Sequence, residues 1–125
     1  ALQRAPSHLA RSKMAILSSI EGVYWTMIES AQAALITAGQ LPPSPEHVPA
    51  LLKTTFVDKG VLKSGWVQDL REIYLLHKGI SHHDIHTVKG SEIERWQERA
   101  EQFMLQMTRI IDGILEEQKR QQEKK

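Results

Sequence analysis

The 125-residue chain contains no cysteine. Disulfide bonds and thiolate metal sites are therefore excluded, which fits a reducing compartment. Its apolar residues form no run long enough to cross a bilayer, and its start lacks the charged-then-apolar pattern of a signal peptide. The 16 basic and 15 acidic residues nearly balance, so any site for a polyanion must be local. We expect a cytoplasmic protein that does not enter a membrane.

Familiar nucleotide-handling patterns are also missing. The seven glycines are dispersed as helix ends and turns, so they form no phosphate-binding loop. No acidic pair has the spacing of a nucleotidyltransferase, and such an activity would belong to another domain or chain. Strand patterns are nearly absent, because no segment alternates apolar and polar residues for long. The first residue is Ala1, which leaves open a processed, trimmed or excised polypeptide.

Helical spacing covers most of the chain. Between residues 9 and 38 apolar residues recur at every third or fourth position. This predicts one long helix, or two nearly collinear helices that meet at Gly22. Gly39 ends the segment, and the prolines after it predict a loop. A second loop is predicted for the polar residues 79–90. The predicted helices cover residues 9–38, 44–57, 64–78 and 91–115.

The last predicted helix has the most regular pattern. It opens with a capping-box sequence at Ser91 and Glu94, and its apolar residues are spaced by three or four positions. This stripe fits either an intramolecular core or a dimer interface. The three tryptophans likewise fit core or seam positions better than base-stacking positions. The stripe consists of Ile93, Trp96, Ala100, Phe103, Met107, Ile110 and Ile114.

These patterns together predict an all-α fold, an up-and-down bundle of four to five helices. A chain of 125 residues suits one domain. We assign residues 1–115 to a single helical domain and residues 116–125 to a polar carboxy-terminal tail. The tail is either a solvated continuation of the last helix or a frayed end.

Arg71 and His77 are the strongest candidates for chemistry. Arginine stays charged and clamps phosphate through two hydrogen bonds, while histidine exchanges a proton near neutral pH. Such a pair suits metal-independent cleavage of RNA, in which the 2′-hydroxyl is the nucleophile. On one regular helix, however, their side chains point about 120° apart. They meet only if the helix unwinds near Lys78 and Gly79, if Arg71 bends around, or if a symmetric partner completes the site.

A structural interpretation stays open beside the catalytic one. In it, His77 covers the core and donates a hydrogen bond to a loop carbonyl, while Arg71 pairs with a carboxylate. Helix geometry puts His77 on the core side, and it puts Tyr74 and Lys78 on the face of Arg71. We therefore take Arg71 and His77 as candidate catalytic residues, and Tyr74 and Lys78 as candidate RNA- or nucleotide-binding residues.

The polar loop carries three more histidines and an aspartate. Imidazoles with a carboxylate bind Zn²⁺ or Ni²⁺ in many proteins. Here His82 and His83 are adjacent and no second cluster supplies further ligands, so we assign no metal and no cofactor. Because the cluster follows His77 closely, His82 and His83 become candidate RNA- or nucleotide-binding residues. The remaining members of the cluster are Asp84 and His86.

The chain resembles the HEPN (higher eukaryotes and prokaryotes nucleotide-binding) domains. Those domains are small helical bundles, and their ribonuclease members carry an arginine followed after four to six residues by a histidine. Arg71 and His77 match this motif with five intervening residues. The similarity extends over roughly residues 10 to 115. It includes the helix 18–39 with its alanine-rich end and the closing helix through Trp96 and Phe103.

The resemblance implies a module that binds RNA or a nucleotide, as a homodimer whose two motifs line a shared cleft. In the active form it implies a metal-independent endoribonuclease in which Arg71 binds phosphate and His77 transfers a proton. Family members commonly have a small polar residue after the arginine, whereas here Glu72 follows and its charge opposes a phosphate. A second function therefore stays open: a catalytically inactive interaction module that binds a nucleotide or docks on a nucleotidyltransferase partner.

Overall fold

The structure is a computed structural model that describes residues 4–41, 44–81 and 90–123, with side chains described for residues 18–41, 44–79 and 90–123. All regular elements in these ranges are helical, which confirms the all-α bundle. There are three long or medium helices and a short irregular helical segment between the first two of them. In chain order the α-helices are α1 (Arg4–Thr37), α2 (Val48–Leu52), α3 (Ser64–Ser81) and α4 (Gly90–Glu123).

Helix α1 is one continuous helix, so the sequence does not break at Gly22. It ends where predicted because Gly39 adopts a positive φ of 86°, which favours glycine. The amide of Gly39 donates to the carbonyl of Ile36, and that of Gln40 donates to the carbonyl of Leu35. This is the hydrogen-bond pattern of a Schellman cap, which satisfies carbonyls that the helix end leaves open.

The segment between α1 and α3 is helical but irregular. A 3-10 turn (Pro45–His47) leads into α2, and a π-helical turn (Lys53–Val57) closes it. Pro45 stands at the first position as predicted, but the Ser44 hydroxyl does not cap the backbone. It lies 3.0 Å from Nδ1 of His47 instead. Val48, Leu52 and Phe56 turn inward and close one end of the core.

The predicted stripe of α4 forms the intramolecular core. Its five central members are buried, and Ile93 and Ile114 at its ends pack against the core while partly exposed. The stripe therefore packs mainly against α1 of the same chain, rather than facing a partner. Beyond it, residues 116–123 continue the helix with exposed side chains. As far as residue 123, the tail is thus a solvated extension of α4.

Two expectations about the candidate region are wrong. The loop predicted from residue 79 begins later, because helix α3 continues through Lys78 and Gly79 to Ser81. The helix is therefore not unwound there, which removes one of the three ways in which Arg71 and His77 could meet. Trp25 is 45% exposed rather than part of the core. Its neighbour Tyr24 takes the inward position, and successive helical side chains are turned by about 100°, so the indole points outward.

Candidate functional site

His77 lies at the edge between α3 and α1. Its imidazole stacks on the Tyr24 ring, with 4.1 Å between ring centroids and an interplanar angle of 3°. Its Nε2 lies 3.9 Å from Oε1 of Glu21, and the side chain is 19% exposed. That distance is too long for a direct hydrogen bond, but it suits an ion pair when the imidazole is protonated. The ring is therefore fixed in orientation, with a carboxylate facing one nitrogen.

His77 belongs to a cluster of aromatic side chains that we call the aromatic edge. Its members are Tyr24, Trp25, Tyr74 and His77. Tyr24 contacts Trp25 edge to face at 5.1 Å and lies 6.3 Å from the Tyr74 ring. Burial raises the pKa of the Tyr24 phenol, and the nearby Tyr74 phenol raises that pKa further. Tyr24 is therefore a neutral platform for the imidazole at physiological pH. The half-exposed Trp25 indole is the outer member of the edge.

A second feature lies on the outside of α3. Arg71, Tyr74, Leu75 and Lys78 follow the spacing that places residues on one helical face, and we call them the outer stripe. Arg71 and Lys78 are exposed, and Leu75 is 63% exposed. Within the described side chains, neither of these cations belongs to an ion pair. The outer stripe thus presents two positive charges beside aromatic and apolar surface.

The carboxylates next to Arg71 in sequence face the other way. Asp69 and Glu72, three positions apart on α3, both accept hydrogen bonds from the Arg99 guanidinium of α4, Glu72 at 2.6 Å. The guanidinium also lies 3.9 Å from the centroid of the Trp96 ring. Arg99 therefore holds both carboxylates against α4.

The pKa of Arg99 shows which influence dominates in this cluster. Burial, the largest single influence, lowers that pKa, but the hydrogen bonds to Asp69 and Glu72 and the attraction of their charges together outweigh it and raise the pKa above its usual range. The arginine is therefore firmly charged. Glu72, whose charge the sequence predicts to oppose a phosphate at Arg71, instead accepts a hydrogen bond from Arg99, and the one guanidinium with its two carboxylates keeps one net negative charge.

The structure brings together only part of the predicted site. Arg71, Tyr74 and Lys78 share the outer stripe, as predicted. His77 faces α1, so its side chain and that of Arg71 do not converge within one chain. The predicted residues His82 and His83 lie outside the described residues.

The sequence patterns did not predict four residues that neighbour the site: Glu21, Tyr24, Trp25 and Arg99. A signal existed for Arg99 alone. Asp69 and Glu72 have the spacing of two carboxylates on one helical face, and such a pair favours a buried or half-buried cation opposite. The contacts of Glu21 and Tyr24 depend on how α1 rotates against α3, which no local pattern reports.

The remaining observations assign no cofactor. Among the described residues, no three histidine, cysteine, aspartate or glutamate side chains converge as metal ligands would. In the same part of the chain, no helix is long and apolar enough to cross a membrane.

Comparison with known proteins finds no matching family model, no matching curated protein and no matching solved structure. The resemblance to HEPN domains therefore stays a prediction.

Proposed function

We propose that this protein is a HEPN-like helical module that binds RNA or a nucleotide through the outer stripe of α3. The proposal rests on one observation: Arg99 forms salt bridges with Asp69 and Glu72, the two carboxylates that flank Arg71 in sequence. Arg71 is thereby left with its positive charge on an exposed face, where a phosphate is the matching anion. Lys78, two turns further along the same face, adds a second cation.

The chemistry of the stripe suits a polyanion that carries flat bases. A guanidinium binds phosphate through two parallel hydrogen bonds, while an ammonium acts as a point charge. Tyr74 lies between Arg71 and Lys78 on the stripe. Its neighbour Tyr24, at 6.3 Å, also contacts the half-exposed Trp25 indole. Aromatic side chains stack on unpaired bases without regard to sequence. The combination favours single-stranded RNA or a nucleotide over an acidic peptide.

A ribonuclease step would use His77 as the proton-transfer group. A neutral imidazole would take the proton of the 2′-hydroxyl as its oxygen attacks the adjacent phosphorus. The bond to the 5′-oxygen would break, that oxygen would receive a proton, and a 2′,3′-cyclic phosphate would remain. Glu21, 3.9 Å from the imidazole, would stabilise the protonated ring. Because Arg71 points about 120° away from His77, the step requires a homodimer in which a second copy supplies the arginine.

The burial of His77 favours a second candidate function. Tyr24 covers one face of the imidazole, and the side chain is only 19% exposed. A group so enclosed is poorly placed to reach a 2′-hydroxyl. In this version the module binds a nucleotide, or docks on a nucleotidyltransferase partner, without cleaving RNA.

Binding is tested by fluorescence anisotropy with a labelled single-stranded oligoribonucleotide. We expect Arg71→Ala to weaken the affinity about tenfold, since a charge-assisted phosphate contact contributes about 1.5 kcal/mol. Arg95→Ala is the matched control, because Arg95 is an exposed arginine on α4 and lies outside the stripe. Equal affinities of the wild type and Arg71→Ala would contradict the proposal.

A gel assay with the same RNA distinguishes a ribonuclease from a module that binds RNA without cleaving it. If the wild type cleaves while Arg71→Ala and His77→Ala do not, the protein is a ribonuclease. If the wild type binds but leaves the RNA intact, it is the inactive module. Circular dichroism of each variant verifies that the helical fold persists.

A further inference from the structure

The two cations of the outer stripe stand at its opposite ends. Arg71 and Lys78 are seven positions apart on α3, so their Cα atoms are separated by about 10.5 Å along the helix axis. Their side chains leave the axis within about 20° of the same direction, and both are exposed. The stripe therefore presents two separate positive charges in one line, rather than one concentrated charge.

Tyr74 and Leu75 occupy the surface between the two cations. Around the axis, Tyr74 lies about 40–60° to one side of the line and Leu75 about 40–60° to the other. The Tyr74 ring is 6.3 Å from that of Tyr24 on α1, whereas Leu75 is 63% exposed. One phosphate could meet both cations only if both long side chains lay along the helix over these two residues. That arrangement would cost conformational entropy in both side chains and cover the surface between them.

The carboxylates around the stripe have other partners. Asp69 and Glu72 bind Arg99 on the opposite side of α3. Glu21 of α1 lies 3.9 Å from Nε2 of His77. Within the described side chains, neither cation of the stripe forms an ion pair. Both therefore remain available to two anionic groups of a ligand.

We infer that the outer stripe binds one nucleotide that carries a phosphate on each side of its ribose. One phosphate binds Arg71, the other binds Lys78, and the base lies against Tyr74 and Leu75. The inference rests on the proposed function and names the ligand class. That class is an internal nucleotide of a strand, whose smallest form is a nucleoside 3′,5′-bisphosphate. A free 5′-mononucleotide has one phosphate and would leave one cation of the stripe without a partner.

Two isomeric ligands test this footprint. Uridine 3′,5′-bisphosphate and uridine 5′-diphosphate have the same base and the same number of phosphate groups, but the ribose separates the phosphates only in the bisphosphate. Amide chemical shifts of residues 71–78 report the affinity for each. The wild type should bind the bisphosphate about fivefold more tightly, as expected for one additional charge-assisted contact at an exposed site.

Variants assign the preference to the stripe. In Lys78→Ala the preference for the bisphosphate should largely disappear. It should persist in Lys119→Ala, the matched control, because Lys119 is an exposed lysine on the carboxy-terminal part of α4. On a short oligouridylate, the slope of log affinity against log salt should become shallower by about 0.7 in Arg71→Ala and in Lys78→Ala, since each loses one phosphate contact. A merely structural role of Lys78 would leave this slope unchanged.

The outcomes distinguish this inference from the proposed function. Equal affinities of the wild type for the two isomers, or an unchanged salt slope in Lys78→Ala, would overturn the two-phosphate footprint. Oligoribonucleotide binding that Arg71→Ala weakens would uphold the proposed function even then. If the wild type binds neither isomer and no oligoribonucleotide, the footprint and the proposed function both fail.

Discussion

Replacing Arg99 with alanine removes one guanidinium from three partners at once. It loses hydrogen bonds to Asp69 and Glu72, whose side chains are 22% and 44% exposed, and the contact with the Trp96 ring. The Asp69 bond is the less exposed and contributes about 1–1.5 kcal/mol, whereas the Glu72 bond is discounted for solvent screening to about 0.5 kcal/mol. The cation–π contact adds about 0.5–1 kcal/mol. We therefore expect Arg99→Ala to lower the free energy of unfolding by about 2–3 kcal/mol.

Urea denaturation followed by circular dichroism measures this loss. The midpoint should fall with an unchanged slope, and the melting temperature of the 125-residue chain should fall by about 10 °C. Arg95→Ala, an exposed arginine one turn earlier, should change stability by less than about 0.5 kcal/mol. A double-mutant cycle with Asp69→Ala should return a coupling energy of about 1 kcal/mol. A loss below about 0.5 kcal/mol for Arg99→Ala, or no coupling, would refute the reasoning.

The same variant links stability to binding. Without Arg99, Asp69 and Glu72 keep uncompensated negative charges on the helix that carries Arg71. RNA affinity should fall about two- to fivefold, which corresponds to the strength of partly screened charge interactions. Adding Asp69→Asn and Glu72→Gln to Arg99→Ala should restore the affinity. Unchanged RNA affinity in Arg99→Ala would show that the contacts of Arg99 with Asp69 and Glu72 do not influence binding at the outer stripe.

Two further predictions concern the aromatic edge. The pKa of Tyr24 is raised above 10.0, so its neutral phenol stabilises the fold below about pH 10, and this contribution is lost as pH rises through the higher folded-state pKa. The urea midpoint should therefore fall less between pH 9 and pH 11 in Tyr24→Phe than in the wild type. An identical fall in both proteins would contradict this. Trp25→Ala should weaken RNA binding about fivefold, as expected for one lost base stack, while Trp25→Phe retains most of the affinity. Wild-type affinity in Trp25→Ala would exclude stacking at this position.

The sequence predicts the helices because several local signals agree. In α4 the capping box and the apolar spacing point to the same helix, and all five central members of the stripe are buried. In α1 the turn at Gly39 closes the helix through a cap that local composition encodes. Such features depend on residues within one turn of each other.

The candidate site depends on how helices rotate against each other, and local patterns do not report this. Arg99 meets its carboxylates across 30 and 27 positions of sequence. His77 meets Tyr24 only because α1 packs on that side of α3. Trp25 was misassigned because two consecutive aromatic residues cannot both face inward on a helix. The helical geometry of Arg71 and Tyr74, by contrast, follows directly from their spacing.

Amide chemical-shift mapping during titration with a short oligoribonucleotide tests the central claim most directly. We claim that Arg71 is available to phosphate because Arg99 holds the neighbouring carboxylates. The largest shifts should fall on residues 71–78 and on the Trp25 indole, and they should require about tenfold more RNA in Arg71→Ala but not in Arg95→Ala. An absence of shifts, or shifts confined to residues away from α3 and Trp25, would contradict the account.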